Sequence, residues 1–482
     1  MPRRLLPVPL LAVIVLAASV LAGCGSGDPA PFGPVRTGSI RATGASDPLA
    51  YTAAAAGEFQ ARAAAGLSNV LYQMSPGGLE ASIQRTEAYR PLIQRTVART
   101  GCPIDADTLE ALVLLESAGR PEIIAGNSVA DAAGLTQIVA STGQTLLGMH
   151  INLAASERIT AQLGSVTSAA AAARLVAQRA KVDPRFDPAD ALAATCHYLK
   201  TALATLGRPD LALESYHMGI GNLQRVLTDY GHGPVPYVQL YFATSPAQYS
   251  TAWNLLYSFQ DDSSTYLWRV YAARAAIELY RRSPKALAAE QSLQVASASS
   301  EVALHPPSHT DYFGSPSDLA HAEGSGEIVG LPAAALARDG IAVSAEMGAE
   351  ARQLHQPVAR YRGLQPGALA LLGYLGAEVR QISGASPLEL IETASDGQAE
   401  RLLGGASQDL ETTGWAFDIA RSYRSPAQAL AFQYELDRLS ALDLIAWVRL
   451  PNEIHVTVAS DAAAAIGHGI GAVAVPTPGT SY

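Results

Sequence analysis

The chain has 482 residues, 49% of them apolar and only 16% charged, which suits two or three globular domains. The formal net charge is −10, and residues 1–23 hold two arginines and no acid, so a chain processed there is more acidic still. That balance excludes nucleic acid and an anionic bilayer as electrostatic partners.

The N-terminus reads as a targeting segment. Arg3 and Arg4 form a short positive region, and Leu5 to Val20 is an apolar core broken by Pro7 and Pro9. Leu21-Ala22-Gly23-Cys24 follows. This run resembles a bacterial lipoprotein signal, which implies cleavage after Gly23 and lipidation of Cys24. Gly25, not Asp, follows the cysteine. In a cell with two membranes the resemblance implies an anchor on the periplasmic face of the outer membrane. The alternative is an uncleaved membrane anchor; the small residues before Cys24 and the Gly/Ser/Pro stretch after it favour cleavage. Residues 24–50 read as a tether.

Helical periodicity dominates residues 51–285, with a Gly/Pro break at Ser75-Pro76-Gly77-Gly78 and no strand alternation, so this part is expected to be all-α. Within it, Leu109, Leu112, Val113 and Leu115 fit a buried helix face. Asp105 or Asp107 caps the start, and Gly119 and Pro121 mark the end. Glu116 falls in the last turn, at the negative end of the helix dipole. Apolar surroundings would also disfavour its charged form. Both effects suit a general acid; the plain alternative is a solvated helix-end glutamate. Ala132-Ala133-Gly134-Leu135-Thr136-Gln137-Ile138 follows in a turn-rich stretch, and Glu214-Ser215-Tyr216-His217-Met218-Gly219-Ile220-Gly221-Asn222 comes later.

Together with Glu116-Ser117, these blocks resemble the soluble lytic transglycosylase family, whose fold is goose-lysozyme-like. That family reads Glu-Ser, then Gly-Leu-Met-Gln, then Ala-Tyr-Asn-Ala-Gly-x-Gly-Asn, in this order. The resemblance covers about residues 86–285 and implies that Glu116 is catalytic. It also implies that Gln137 and Tyr216 hold the sugar and the acid, with Ser117 and His217 beside them in substrate binding. Thr136 stands in place of the family's Met, and His217 and Met218 in place of Asn and Ala. The stretch from Thr142 to Asp187 is longer than the family minimum and Ala-rich.

Besides Cys24 the chain has only Cys102 and Cys196. In an oxidising, exported compartment an even pair is a candidate disulfide, with two buried free thiols as the alternative. Neither has the spacing of a zinc site.

Residues 286–327 shift to Ser, Ala, His, Pro and Gly and read as a linker. His305, His309 and His321 fall there and are expected to be solvated. The remainder, 328–482, reads as a smaller α+β domain. Gly414 to Ile419 alternates as a strand with Trp415, Phe417 and Ile419 on one face and Ala416 and Asp418 on the other. Ser425-Pro426 caps a helix with buried positions Ala429, Phe432, Leu436 and Leu439. Strands at Leu444–Leu450 and Glu453–Ala459 flank the turn pair Pro451-Asn452, and His455 and Thr457 share a face of the second.

Gly414-x-Ala416-x-Asp418 followed by His455 resembles the zinc D-Ala-D-Ala carboxypeptidase family. There two His and one Asp bind zinc, and a Glu three residues before the second His activates water. Here Glu411 occupies the first His position and Asn452 the base position, while Glu453 stands two before His455. Glu411, Asp418 and His455 remain an acceptable zinc set. The expectation is a carboxypeptidase-like fold that binds peptide or packs, with little or no peptidase activity.

Most glycosidases need two carboxylates. The transglycosylase resemblance implies one: Glu116 protonates the oxygen of the β-1,4 bond between N-acetylmuramic acid and N-acetylglucosamine. It then acts as base on the substrate's own C6 hydroxyl, closing a 1,6-anhydro ring. No cofactor is expected for this helical domain, and the partners are glycan strands, stem peptides and, through Cys24, a membrane. Two rivals stand beside this reading. One is a peptidoglycan-binding lipoprotein scaffold without activity. The other is a lysozyme-type muramidase that uses Asp131 or Glu122 as a second carboxylate.

Overall fold

The computed structural model describes residues 47–259, 262–294, 311–407 and 409–471. Cys24, the signal segment, most of the tether, His305 and His309 lie outside these residues. The chain divides into two compact units, one of residues 74–204 and one that joins residues 47–73 to residues 205–471. The helical run expected as one domain over 51–285 is therefore divided between them.

The first unit is built of helices Leu79–Glu87, Arg90–Thr100, Ala106–Ser117, Ala140–Thr145, Leu153–Ser165, Ala169–Val182 and the start of Pro188–Leu206. The Ala-rich insertion forms the two helices 153–165 and 169–182. Asn152 and Ser168 cap them, accepting from the amides of Ala155 and Ala171. A short antiparallel hairpin interrupts the helices: β1 (Ala132–Ala133) pairs with β2 (Ile138–Val139). Apart from this two-residue pairing the described residues of the first unit are helices and loops, in keeping with the all-α expectation. The hairpin is too short and Gly-interrupted for alternation to show, and its pairing depends on the turn at Gly134–Gln137. Cys102 and Cys196 form a disulfide across a sequence separation of 94 residues, with their Cα atoms 4.9 Å apart.

The second unit holds helices Ala56–Gly66, Pro209–Met218, Ile220–Tyr230, Tyr237–Phe242, Ser250–Ser258, Tyr266–Arg282 and Pro284–Gln294, then the mixed region. The span expected as a linker is helical at both ends. Pro284–Gln294 extends the helical part, and Pro316–Ser325 starts the mixed one. Ser315 Oγ accepts from the Asp318 amide and Pro316 sits at the first helical position, so this start is well signalled. Leu319 and Ala322 pack with Phe313, Ile328 and Tyr361, which ties the segment to the mixed region. His321 lies exposed on this helix.

The mixed region carries β3 (Val329–Gly330), β4 (Ile341–Val343), β5 (Gly363–Leu364), β6 (Leu388–Glu392), β7 (Ala416–Ala420), β8 (Ile445–Arg449) and β9 (Glu453–Val458). β3 pairs with β5, and the other five form one sheet in the order β4-β6-β7-β9-β8. Only β4 and β6 run parallel. Helices Pro366–Ser383 and Pro426–Ala441 pack on each other and on this sheet. In the second of these, Phe432, Leu436 and Leu439 are buried as expected, whereas Ala429 is half-buried and Leu430 and Ala431 take its place. β7 is central, and its residues Ala416 to Ile419 are all buried. Asp418 therefore shares the burial of its apolar neighbours.

Candidate functional sites

Glu116 is carried by a helix whose start is fixed by Asp105, whose carboxylate accepts from the Thr108 amide at 2.7 Å. Leu109, Leu112, Val113 and Leu114 are buried, while Leu115 and Glu116 are half-buried. The expected apolar face thus shifts by one residue at the end, from Leu115 to Leu114. The buried Glu110 pairs with Arg90. The helix stops because Ala118 turns left-handed (φ 53°) and Gly119 follows at φ 74°. A Cβ on Gly119 would lie 2.7 Å from the Thr86 amide nitrogen, so only glycine fits.

Ser117 joins this helix end to the hairpin. Its buried Oγ donates to the Leu135 carbonyl at 2.8 Å. Gln137 takes a left-handed conformation (φ 50°), and its Nε2 donates to the carbonyls of Gly134 at 2.7 Å and Ile123 at 3.2 Å. The side chain assigned to sugar binding therefore also closes its own loop. Glu116, Ser117 and Gln137 are brought into one loop cluster.

Arg185 and its partner Asp183 support the hairpin and were not signalled by the sequence. Arg185 is fully buried and pairs with Asp183 at 2.7 Å. It donates to the carbonyls of Asp131 at 2.8 Å and Ile138 at 3.1 Å, so it braces both sides of the hairpin. Gly134 makes room for it: a Cβ there would sit 1.8 Å from the Arg185 carbonyl oxygen. The two carboxylates considered as partners for Glu116 are placed differently. Asp131 Oδ2 accepts from the Ser128 amide at 3.1 Å and caps a turn, and Glu122 is exposed.

Tyr216 and His217 lie on the second unit, in the helix Pro209–Met218. Both rings lie nearly parallel to that of the buried Tyr266, at 6.2 Å and 5.4 Å. His217 Nδ1 is 3.0 Å from Ser263 Oγ. Glu214, buried on the same helix, accepts from the Leu267 amide at 2.8 Å and so caps the helix that carries Tyr266. Sequence spacing could not reveal this long-range cap. Gly219 (φ 86°) ends the helix, and Asn222 Nδ2 donates to the Met218 carbonyl at 2.9 Å.

Farther along the second unit, the register aligns Glu392 with Asp418 and Asp418 with His455 across β6, β7 and β9. Facing pairs point to the same side, so the three form one row. Glu411 comes from the turn before β7. His455 Nδ1 lies 2.7 Å from Asp418 Oδ1 and 3.0 Å from Glu411 Oε1, and all three side chains are buried. Burial opposes a charge on His455, but the bonds to Asp418 and Glu411 outweigh it and hold its pKa well above the ordinary value. Burial pushes Asp418 up to about 6, against the pull of His455. Burial and the charges of Glu411 and Asp418 push Glu392 up to about 9, and Glu400 is pushed up to about 7, chiefly by burial. One ligand atom from each of Glu411, Asp418 and His455 lies within 4.8 Å of the others, and Glu400, Asp409 and Glu411 converge in the same way. Glu392 was missed from sequence because its place depends on a register shift between Leu390 and Glu392.

Among the described residues no helix is long and apolar enough to cross a membrane. No curated protein matches the chain. Residues 98–234 match the family model for the transglycosylase SLT domain, a span that contains Glu116, Ser117, Gln137, Tyr216 and His217. Over this segment the chain is similar to the soluble lytic transglycosylase family, and the match supports transglycosylase activity on peptidoglycan in general terms.

Proposed function

We propose that the protein is a peptidoglycan lytic transglycosylase that cleaves the β-1,4 bond from N-acetylmuramic acid to N-acetylglucosamine and releases 1,6-anhydro ends. The observation that carries this reading is Glu116, half-buried at the end of a capped, braced helix within the SLT match. Glu116 donates its proton to the glycosidic oxygen as that bond breaks. The carboxylate then takes the proton of the substrate's C6 hydroxyl as its oxygen closes on C1. Atoms balance without water or a second carboxylate. Asp131, committed to its turn, and the exposed Glu122 give no support to the lysozyme-type rival. Mass analysis of the ends after digestion of purified peptidoglycan tests the reading. Anhydro ends are expected, and Glu116→Gln should lower their release by about two orders of magnitude or more. Reducing ends, or activity retained in that variant, would overturn it.

Cys24 is the proposed lipid site and holds the chain in the bacterial cell envelope, on the periplasmic face of the outer membrane where there is one. Cys24→Ser should move the protein from the membrane to the soluble fraction.

We propose a second role for the mixed region because its three buried ligand atoms converge. Glu411, Asp418 and His455 suit zinc, whose ligands are nitrogen and carboxylate oxygen. Zinc there would supply positive charge and Lewis acidity. The protein's own groups set the limit: Asn452 has no basic side chain, and Glu453 lies half-buried at the start of β9, paired with Ala420. The region therefore holds stem peptide and releases little or no D-Ala. Metal analysis of the Glu116→Gln protein together with a D-Ala release assay tests this; D-Ala release with stoichiometric zinc would show a second enzyme.

A further inference from the structure

A cavity of about 220 Å³ opens within the second unit. Its wall includes Tyr241, Trp253, Tyr257, Tyr434, Asp437 and Arg438. Trp253 and Tyr257 stack at 5.1 Å with 15° between their planes, and Tyr434 meets Trp253 edge-on at 5.8 Å. Trp253 is buried, and Tyr257 is 38% exposed. An exposed aromatic face backed by a buried, fixed ring is rigid and amphipathic. The cavity is smaller than the roughly 300–1,000 Å³ typical of drug-sized ligands, so it suits one ring and not a chain.

The polar groups narrow the class of ligand. Asp437 is exposed beside the rings; its carboxylate accepts from Gln433 at 2.9 Å and retains further acceptor capacity. Arg438 is buried. Its charge is answered by Asp47 at 2.5 Å and Glu435 at 3.4 Å, and its Nη atoms also reach Tyr374 and the Leu49 carbonyl. Its Nε–H is buried and has no hydrogen-bond partner among the described residues. The wall thus offers an aromatic face and an acceptor, while the Arg438 Nε–H is too enclosed to meet a ligand. A quaternary ammonium would use the rings but has no donor for Asp437. A pyranose has an apolar C–H face for the ring and hydroxyl donors for a carboxylate.

We propose that this cavity is a subsite for a single N-acetylhexosamine ring, with Tyr257 covering the apolar face of the sugar and Asp437 accepting from a hydroxyl. The choice of sugar rests on the peptidoglycan reading above; the saccharide class rests on the wall. Glycan bound here would be held by the second unit independently of Glu116 chemistry.

The test uses the full chain carrying Glu116→Gln, titrated with N-acetylglucosamine and, separately, with tetramethylammonium, and read by tryptophan emission. Trp253→Phe identifies the part of the signal that belongs to the cavity. Saturable, Trp253-dependent binding of the sugar is expected. It should be about tenfold weaker in Tyr257→Ala and in Asp437→Asn, the scale of one lost contact, and retained in Tyr257→Phe. Unchanged far-ultraviolet circular dichroism is expected for the variants, with a small drop in melting temperature for Tyr257→Ala from the lost stacking on Trp253. Absence of a Trp253-dependent signal, undiminished affinity in both variants, or saturation by tetramethylammonium alone would overturn the subsite. Anhydro-end release is measured separately in the unsubstituted chain. Sugar binding without that activity would overturn the functional reading and leave the subsite standing.

Discussion

The loop cluster around Glu116 and the sheet face around His455 both draw carboxylates out of water, yet they support them by opposite means. Around Glu116 the support is backbone: Ser117 bonds the Leu135 carbonyl, Gln137 closes its own turn, and Arg185 gathers the carbonyls of the hairpin. Around His455 the support is strand register, which stacks Glu392 and Asp418 beside Glu411 with one imidazole to answer them. The first arrangement fixes geometry and leaves one carboxylate half-exposed for chemistry. The second concentrates like charge, which raises carboxylate pKa values and makes the face receptive to a cation.

Removing the brace should break the first arrangement most severely. Arg185→Met leaves Asp183 buried without its cation and strips donors from the hairpin carbonyls, a loss of about 3–5 kcal/mol. Denaturant unfolding followed by hydrogen exchange should place that loss in residues 74–204, with the amides of β7 and β9 little affected. Equal destabilisation of both regions would mean that the two supports are not independent. Opening the disulfide comes next. Cys102→Ser with Cys196→Ser should cost about 2–5 kcal/mol, because the closed loop spans most of the first unit. Thiol titration of the denatured, unreduced chain should find neither Cys102 nor Cys196 free.

The second arrangement is sharpened by pH. Glu400 and Glu392 are pushed up to about 7 and about 9, above the ordinary carboxylate range, chiefly by burial. The folded state therefore holds protons that the unfolded state releases. Their stabilisation is fully present below the ordinary carboxylate pKa and is lost as pH rises through these values. His455, raised by Asp418 and Glu411, acts in the same direction. In chelator-treated protein, opening of β6, β7 and β9, read by hydrogen exchange corrected for intrinsic rate, should become easier from pH 5 to pH 9. Residues 74–204 should show a weaker trend. Zinc should flatten the slope by supplying the charge that protons supply at low pH.

How far the sequence was legible follows the same division. The Glu116 helix could be read closely because its signals are local: Asp105 at the cap, a continuous apolar run, and Gly119 where a side chain would strike Thr86. Glu411, Asp418 and His455 could be grouped through their resemblance to the zinc carboxypeptidase pattern, and β7 and β9 pair directly across the sheet. Arg185, Glu214 and Glu392 could not. Each acts across 47 or more residues or through a register that no spacing encodes, as in the bonds from Arg185 to Ile138 and from Leu267 to Glu214. The helix Pro316–Ser325 was hidden for a different reason. Its composition resembles a linker, and its burial depends on partners such as Tyr361.

The smallest expected effect tests whether backbone support serves catalysis or only stability. Ser117, on the Glu116 helix, bonds the hairpin turn through the Leu135 carbonyl at 2.8 Å. Ser117→Ala removes that bond and leaves the Leu135 carbonyl without this donor, a loss of about 0.5–1.5 kcal/mol in stability. If the bond also sets the position of Glu116, kcat for anhydro-end release should fall several-fold while KM stays close to that of the parent, because substrate contacts elsewhere are intact. Ser117→Thr keeps the hydroxyl and should recover part of the rate. A stability loss with kcat unchanged would confine Ser117 to holding the helix end.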